Sequence, residues 1–279
     1  MPLPTKYVPV NNTALHYFHT GRTTLPDVAP ALDRGELLLF IHGAGSNANT
    51  WHRQLAAFAD EHSALALDLP GHGRSGGTES LGSIDAYRDC VAGFLDALRL
   101  RPAVLVGRSM GGAIAMALGL SHPARVRALV LVATAARFDL PDTMLDTWKA
   151  VTQGRVQQPF TADAFSPSAD FAVVRDAWME QVKTDPRVRY GDFVACNAFD
   201  ASTHLGALQL PTLIVAGRDD RITPPERSEF LHRAIRGSRL VVIEGAGHTI
   251  PAERPAEFNA AVAEFLAALP PPPATGGSA

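Results

Sequence analysis

The chain has 279 residues, with 25 lysines and arginines against 28 aspartates and glutamates, a formal net charge of −3. With 46% hydrophobic and 19% charged residues, the composition is that of a globular protein, which excludes a disordered chain and leaves no basic surplus for nucleic acid or an anionic membrane as partner. The longest apolar runs, at 37–41 and 128–136, fall well short of the ~20 residues of a membrane span.

Taken in chain order, residues 7–10 and 15–19, joined by Asn11-Asn12, read as an antiparallel hairpin. The opening Met-Pro-Leu-Pro-Thr-Lys has no apolar core, so no Sec-type signal peptide is expected. Residues 22–36 hold prolines and turn formers and read as an exposed loop, long for an α/β connection. A buried strand is expected at 37–41, a helix at 50–58, and a strand at 64–68 that runs into the turn sequence Leu69-Pro70-Gly71-His72-Gly73. Tyr87, Val91, Phe94, Leu95 and Leu98 recur at helical spacing over 84–98. A strand at 104–107, a helix at 110–120 and a strand at 128–133 follow. Apolar strands alternating with helices imply a parallel sheet covered on both faces.

The alternation stops between about 136 and 208, where Pro141, Pro159, Pro167 and Pro186 break up short helical stretches. Nine of the chain's aromatics lie there: Phe138, Trp148, Phe160, Phe165, Phe171, Trp178, Tyr190, Phe193 and Phe199. They describe a helical insert with its own small core, and a lid whose inner face is an apolar substrate wall. The sheet resumes with a strand at 212–216, a helix at 224–236, a strand at 240–243 and a helix at 255–269. Residues 270–279, rich in proline and glycine, are expected to be a disordered tail. Cys90 and Cys196 are too few for a disulfide framework and read as buried thiols in a reducing compartment, which points to the cytoplasm. None of the ten histidines stands in an H-x-x-x-H or C-x-x-C frame, and His16 and His19 would face opposite sides of a strand, so no metal site is expected.

The chemistry concentrates in Gly107-Arg108-Ser109-Met110-Gly111-Gly112, set between a predicted strand and a predicted helix. This is the context of a G-x-S-x-G nucleophile elbow. So sharp a turn strains the serine backbone, and glycines two before and two after it avoid side-chain clashes. The hydroxyl then stands at the carboxyl edge of the sheet, beside a helix N-terminus that favours negative charge. Serine needs a base, and His248 in Glu244-Gly245-Ala246-Gly247-His248 is the candidate. The base needs an orienting carboxylate; Asp219 or Asp220 in Gly217-Arg218-Asp219-Asp220 could serve, with Asp139 and Glu244 as weaker competitors. Two N–H groups must meet the oxyanion. Met110 offers one and Ala44, in His42-Gly43-Ala44-Gly45, the other. No G-K-[ST] follows that loop, so it is not a phosphate loop.

With these motifs in this order, and with Asp68-Leu69-Pro70-Gly71-His72-Gly73-Arg74-Ser75 between them, the chain resembles the α/β-hydrolase family over about 7–269. The resemblance implies an α/β-hydrolase fold: a mostly parallel central sheet with helices on both faces, a core at 1–135 and 209–269, and an inserted helical cap at 136–208. It selects Asp220 over Asp219 as the acid. Arg108 stands where histidine is commoner, and the 22–36 loop is longer than in compact members. Serine as nucleophile demotes the haloalkane dehalogenases and epoxide hydrolases, which use aspartate there. The glycine loop lacks the run of three glycines of the hormone-sensitive-lipase branch.

The implied activity is that of a carboxylesterase with Ser109, His248 and Asp220 as triad and Ala44 and Met110 as oxyanion donors. Its partner would be a small-molecule ester, small to medium or aromatic, and no metal, nucleotide or flavin cofactor is called for. Trp148, Phe160, Trp178 and Phe199 are the substrate-binding candidates. A lactonase or a C–C bond hydrolase of ring-cleavage products uses the same chemistry, and Asp220-Arg221-Ile222-Thr223-Pro224-Pro225 looks like the corresponding stretch of enol-lactone hydrolases. A diketone or diacid substrate would need a fixed cation, for which Arg108, Arg137 and Arg221 are candidates. A non-catalytic ligand-binding protein on the same fold is the remaining alternative.

Overall fold

The computed structural model describes residues 3–22, 24–25 and 28–271; the expectation for the tail falls largely outside them. Strands β1 (Thr5–Val10) and β2 (Thr13–His19) form the hairpin. Its turn residues Asn11 and Asn12 both have positive φ, 46° and 63°, the left-handed pair that matches the twist of the flanking strands and that asparagine tolerates.

Strands β3 (Leu37–Ile41), β4 (Ser63–Leu67), β5 (Ala103–Arg108), β6 (Val126–Val132), β7 (Thr212–Gly217) and β8 (Arg239–Ile243) complete an 8-stranded sheet in the order β1-β2-β4-β3-β5-β6-β7-β8. β2 pairs antiparallel with both its neighbours, and every other pairing is parallel. All residues of β3, β4, β5 and β7 are buried, so these strands carry no polar alternation, as two covered faces require. On one face, helices α1 (His52–Phe58) and α9 (Pro255–Ala267) place Leu55, Phe58, Phe258 and Val262 against Phe40, Val104 and Val130. On the other, α2 (Ile84–Ala97) and α3 (Met110–Ser121) pack Tyr87, Val91, Phe94, Ile114 and Leu118 on Leu39, Leu65 and Leu105. Ser83 caps α2 by accepting the Ala86 N–H at 3.1 Å.

Between β6 and β7 the chain leaves the sheet to form α4 (Asp142–Thr152), α5 (Phe171–Gln181) and α6 (Pro186–Ala198). The excursion starts and ends at one place, where Arg137 bridges Asp200 and the Ala201 N–H reaches Ala136 O at 2.9 Å. After β7 come α7 (Pro225–Ala234) and, between β8 and α9, a four-residue helix α8 (Ile250–Glu253) that the sequence pattern does not announce. The helix expected at 50–58 begins instead as a 3-10 turn at Ala48–Trp51, with Asn47 as its cap. No helix among the described residues is long and apolar enough to cross a membrane.

Candidate active site

Ser109 joins the end of β5 to the start of α3 with φ 55° and ψ −120°, a conformation that residues with a side chain rarely adopt. Packing enforces the bend. A Cβ on Gly107 would lie 2.2 Å from Gly111 O, and one on Gly111 would lie 2.3 Å from Ile41 O. The helix therefore starts in direct backbone contact with the strands beneath it.

The Ser109 carbonyl is pinned. It accepts from Gly112 N at 2.9 Å, Ala113 N at 3.2 Å and Thr134 Oγ1 at 2.7 Å. A trans peptide sets C=O and N–H on opposite sides, so the Met110 N–H points the other way, and among the described residues nothing accepts from it. The same arrangement recurs in the facing loop. Gly43 O accepts from Ser46 N at 3.1 Å and lies 2.9 Å from His42 Nδ1, which directs the Ala44 N–H away. Leu69 N donates to His42 Nε2 at 3.1 Å, so that nitrogen is an acceptor and Nδ1 carries the proton. Burial, with the nearby His72, pushes His42 down to about 3 and keeps it neutral for this role. The next N–H, that of Gly45, donates to Asp192 Oδ2 at 3.0 Å. A Cβ on Gly43 would stand 3.1 Å from Ser109 Cβ, so the loop bearing Ala44 closes directly on the serine.

Asp220 and His248, the carboxylate and base expected from the sequence, meet from two loops at the ends of β7 and β8. Asp220 Oδ2 lies 2.9 Å from His248 Nδ1. Oδ1 accepts from Ile222 N and Thr223 N, and Oδ2 also from Thr223 Oγ1 at 2.8 Å. Burial works against ionisation of Asp220, but His248 and the Thr223 donors outweigh it and hold the carboxyl below its usual range. The loops interlock because Gly217 and Gly247 lack side chains: a Cβ on Gly217 would lie 2.3 Å from Gly247 O. Among the described residues neither Ser109 Oγ nor His248 Nε2 has a hydrogen-bond partner. Such bonds are often long without substrate and tighten in the complex.

A family model described as the alpha/beta hydrolase family matches residues 38–261. The chain belongs to the α/β-hydrolase family. Over 258 residues the hydrolase is 29% identical to a pimeloyl-[acyl-carrier protein] methyl ester esterase of Neisseria meningitidis serogroup C, covering 88% of this chain and 96% of the relative. It is 31% identical over 248 residues to the 2-hydroxymuconate semialdehyde hydrolase of Pseudomonas sp. (strain CF600), covering 82% and 86%. The crystal structure of the enol-lactonase from Burkholderia xenovorans LB400 superimposes with a TM-score of 0.80 at 26% identity, over 94% of this chain and 99% of that one.

The other acids read from the hydrolase sequence lie elsewhere. Asp219 accepts from Ser166 Oγ at 2.6 Å, Asp139 pairs with Arg137 and Arg227 at the surface, and exposed Glu244 pairs with Arg218. Of the aromatics, Trp148 packs on Phe193 with ring centroids 5.5 Å apart and carries the Arg189 guanidinium 4.7 Å above its ring. Phe160 and Trp178 meet edge to face at 5.3 Å. Phe199 packs on the core beside α2 and α3. None of the four lines the cavity that Arg108 and Thr249, the chain neighbours of Ser109 and His248, share with Ser46, Thr50, Trp51, Ala177, Gln181, Pro251 and Ala252.

Three supporting residues carry no motif of their own. Thr134 holds the Ser109 carbonyl. Glu253 braces the base loop, taking Ser166 N and Gly247 N on Oε2 and Thr249 N and Oγ1 on Oε1. Asp192, on α6, takes His72 Nε2 at 2.7 Å and Gly45 N on one oxygen and Tyr87 OH at 2.6 Å on the other. Glu253, five residues past His248, is the one of the three that a sequence reading could have singled out.

Proposed function

We propose that this chain is a serine hydrolase that cleaves carboxylic esters of small to medium or aromatic substrates through an acyl-enzyme. His248 takes the proton of Ser109 as its oxygen attacks the ester carbonyl. The Ala44 and Met110 N–H groups receive the oxyanion, and His248 then protonates the leaving alcohol. Water repeats the cycle and releases the acid. Asp220 fixes the tautomer of His248 and stabilises its cation. The helical segment 136–208 acts as the cap over this site. The observation that carries the reading is the left-handed backbone of Ser109, set against a loop whose Ala44 N–H is turned free by the pinned Gly43 carbonyl.

Hydrolysis of p-nitrophenyl esters from acetate to palmitate tests it. A rate maximum at short or medium acyl chains, abolished by Ser109→Ala, supports an esterase. Undiminished turnover in a clean Ser109→Ala preparation sinks the proposal. A second reading, lactone or C–C bond cleavage on the same triad, draws support from relatives named for those reactions. It predicts turnover of lactones or ring-cleavage diketones with poor activity across the ester series.

A further inference from the structure

Two arginines are buried around the loop that carries Ala44 with no carboxylate in direct ion-pair contact, although Asp220 and Glu253 act on Arg108, and Asp192 on Arg189, from further off. Arg108 is 8% and Arg189 5% exposed. Gly43 and Gly45, on either side of Ala44, leave the space they occupy. A Cβ on Gly43 would lie 3.5 Å from Arg108 Nη2, and one on Gly45 would lie 2.6 Å from Arg189 Cγ and Nε. Among the described residues no hydrogen bond or ion pair engages the Arg108 guanidinium. Arg189 gives Nη2 to Gln181 Oε1 at 2.7 Å, while its Nε and Nη1 have no acceptor.

The nearby acids are all committed elsewhere. Asp220 serves His248 and Thr223, Glu253 serves the base loop, and Asp192 serves His72, Tyr87 and Gly45. Arg108 lines a cavity together with Gln181, Ser46 and Trp51, and its Nη2 and the Ser109 Cβ both lie against Gly43, 3.5 and 3.1 Å from where a Cβ would stand. Ser46 Oγ and Trp51 Nε1 are likewise buried and unpartnered. Burial draws both arginines down only to about 10, so both stay charged at neutral pH. A buried cation with open donors is costly unless an anion completes it. The cavity thus gathers guanidinium, indole and hydroxyl donors, and the guanidinium belongs to the residue immediately before Ser109. By contrast, Arg137 and Arg221 are exposed and already paired with Asp139 and Asp163.

We propose that Arg108, backed by Arg189, forms a carboxylate-binding subsite beside Ser109, and that the substrate is an ester or lactone bearing a free carboxylate a short spacer away from the scissile carbonyl. The planar guanidinium suits a carboxylate bidentately, with Trp51 Nε1 and Ser46 Oγ as further donors. The choice of substrate rests on the serine-hydrolase reading, whereas the anion subsite does not.

The test compares kcat/KM for methyl hydrogen glutarate and methyl hydrogen adipate with that for methyl pentanoate and methyl hexanoate, followed by proton release. The native enzyme should favour the half-esters by at least about 10-fold, and Arg108→Gln should lower that ratio by about 10- to 100-fold, the worth of a charge-assisted hydrogen bond. Arg189→Gln should lower it less, and Arg108→Lys should restore part of it. A native enzyme that turns over the neutral esters as well as the half-esters overturns the proposal, whatever the variants do. So does a folded Arg108→Gln enzyme with an unchanged ratio. Calorimetric titration of glutarate into Ser109→Ala separates the two claims. Glutarate binding that disappears when Arg108→Gln is added upholds the subsite even if no ester is hydrolysed. Ester turnover without glutarate binding or half-ester preference refutes the subsite and leaves the hydrolase reading standing.

Discussion

Replacing Asp192 should uncouple α6 from the loop that carries Ala44 and Gly45. The side chains of Asp192 and His72 are both fully buried, and three donors converge on the carboxylate: His72 Nε2, Gly45 N and Tyr87 OH. Asp192→Ala strands all three. Breaking a buried charged pair in this way costs about 3–5 kcal/mol, which lowers the melting temperature by of order 10 °C in a chain of this size. Asp192→Asn keeps the shape. Its oxygen can still accept from His72 and Gly45, and its amide can donate to Tyr87, whose hydroxyl lies 3.2 Å from Ser80 Oγ as an alternative acceptor. That variant loses chiefly the charge, at about 1–2 kcal/mol.

The pair also sets a pH window. Burial disfavours both charges, yet Asp192 raises the His72 imidazole above its ordinary value, and His72 and Tyr87 hold Asp192 below its own. The His72 contribution is complete below the unfolded imidazole pKa and fades as pH rises through the raised folded value. The Asp192 contribution is complete above the unfolded carboxyl pKa and fades as pH falls through the lowered folded value. Wild-type stability should therefore exceed that of Asp192→Asn most in the mildly acidic range between them. Urea unfolding of wild type, Asp192→Asn and Asp192→Ala across pH, with ester kcat measured alongside, checks this. Because Gly45 adjoins Ala44, Asp192→Ala should also reduce kcat more than KM. Equal stability of Asp192→Ala and wild type, or an Asn variant as unstable as the Ala variant, would refute the reasoning.

Asp220→Asn should leave the fold intact and cut ester turnover by about 10⁴-fold, since the amide presents the wrong partner to His248; steady-state kinetics beside circular dichroism decides it. Thr134→Val, close to isosteric, should release the Ser109 carbonyl at a cost of about 1 kcal/mol and lower kcat with KM little changed, as kinetics on a p-nitrophenyl ester would show. Gly111→Ala forces a methyl against the Ile41 carbonyl, 2.3 Å away, and should yield insoluble or unfolded protein, measured by soluble expression and thermal melting. Glu253→Ala should leave the N–H groups of Gly247, Thr249 and Ser166 unsatisfied and destabilise the base loop, seen as faster hydrogen exchange confined to the residues around His248.

The scaffold was legible because its signals are local. Apolar runs of five residues at 37–41 and four at 64–67 placed β3 and β4, the Asn11-Asn12 turn placed the hairpin, and glycines at 107, 111, 217 and 247 marked where backbones touch. Element ends shifted by a residue or two, as with α1, where Asn47 begins a 3-10 turn before the helix proper. The supports around the site were not legible, because they join residues far apart in the chain: Gly45 and Asp192 are 147 positions apart, and Ser166 and Glu253 are 87. One aspartate among many gives no sign that it will be fully buried. Aromatic enrichment in 136–208 likewise told of apolar packing but not of direction. Trp148 spends its ring on Phe193 and Arg189, and Phe199 turns toward α2 and α3.

The narrow neck of the helical excursion has an evolutionary reach. Because residues 136–137 and 200–201 meet side by side, the helical excursion leaves and rejoins the sheet as two adjoining chain ends. Lengthening or exchanging such an insert adds only a loop-closure term that grows with the logarithm of its length. Such an excursion can be exchanged as a unit, like a head on a common handle. The exchange has conditions here: the incoming segment must present an acceptor where Asp192 meets Gly45 and His72, and must meet His248 N and Glu253 where Ala164 O and Ser166 N do now.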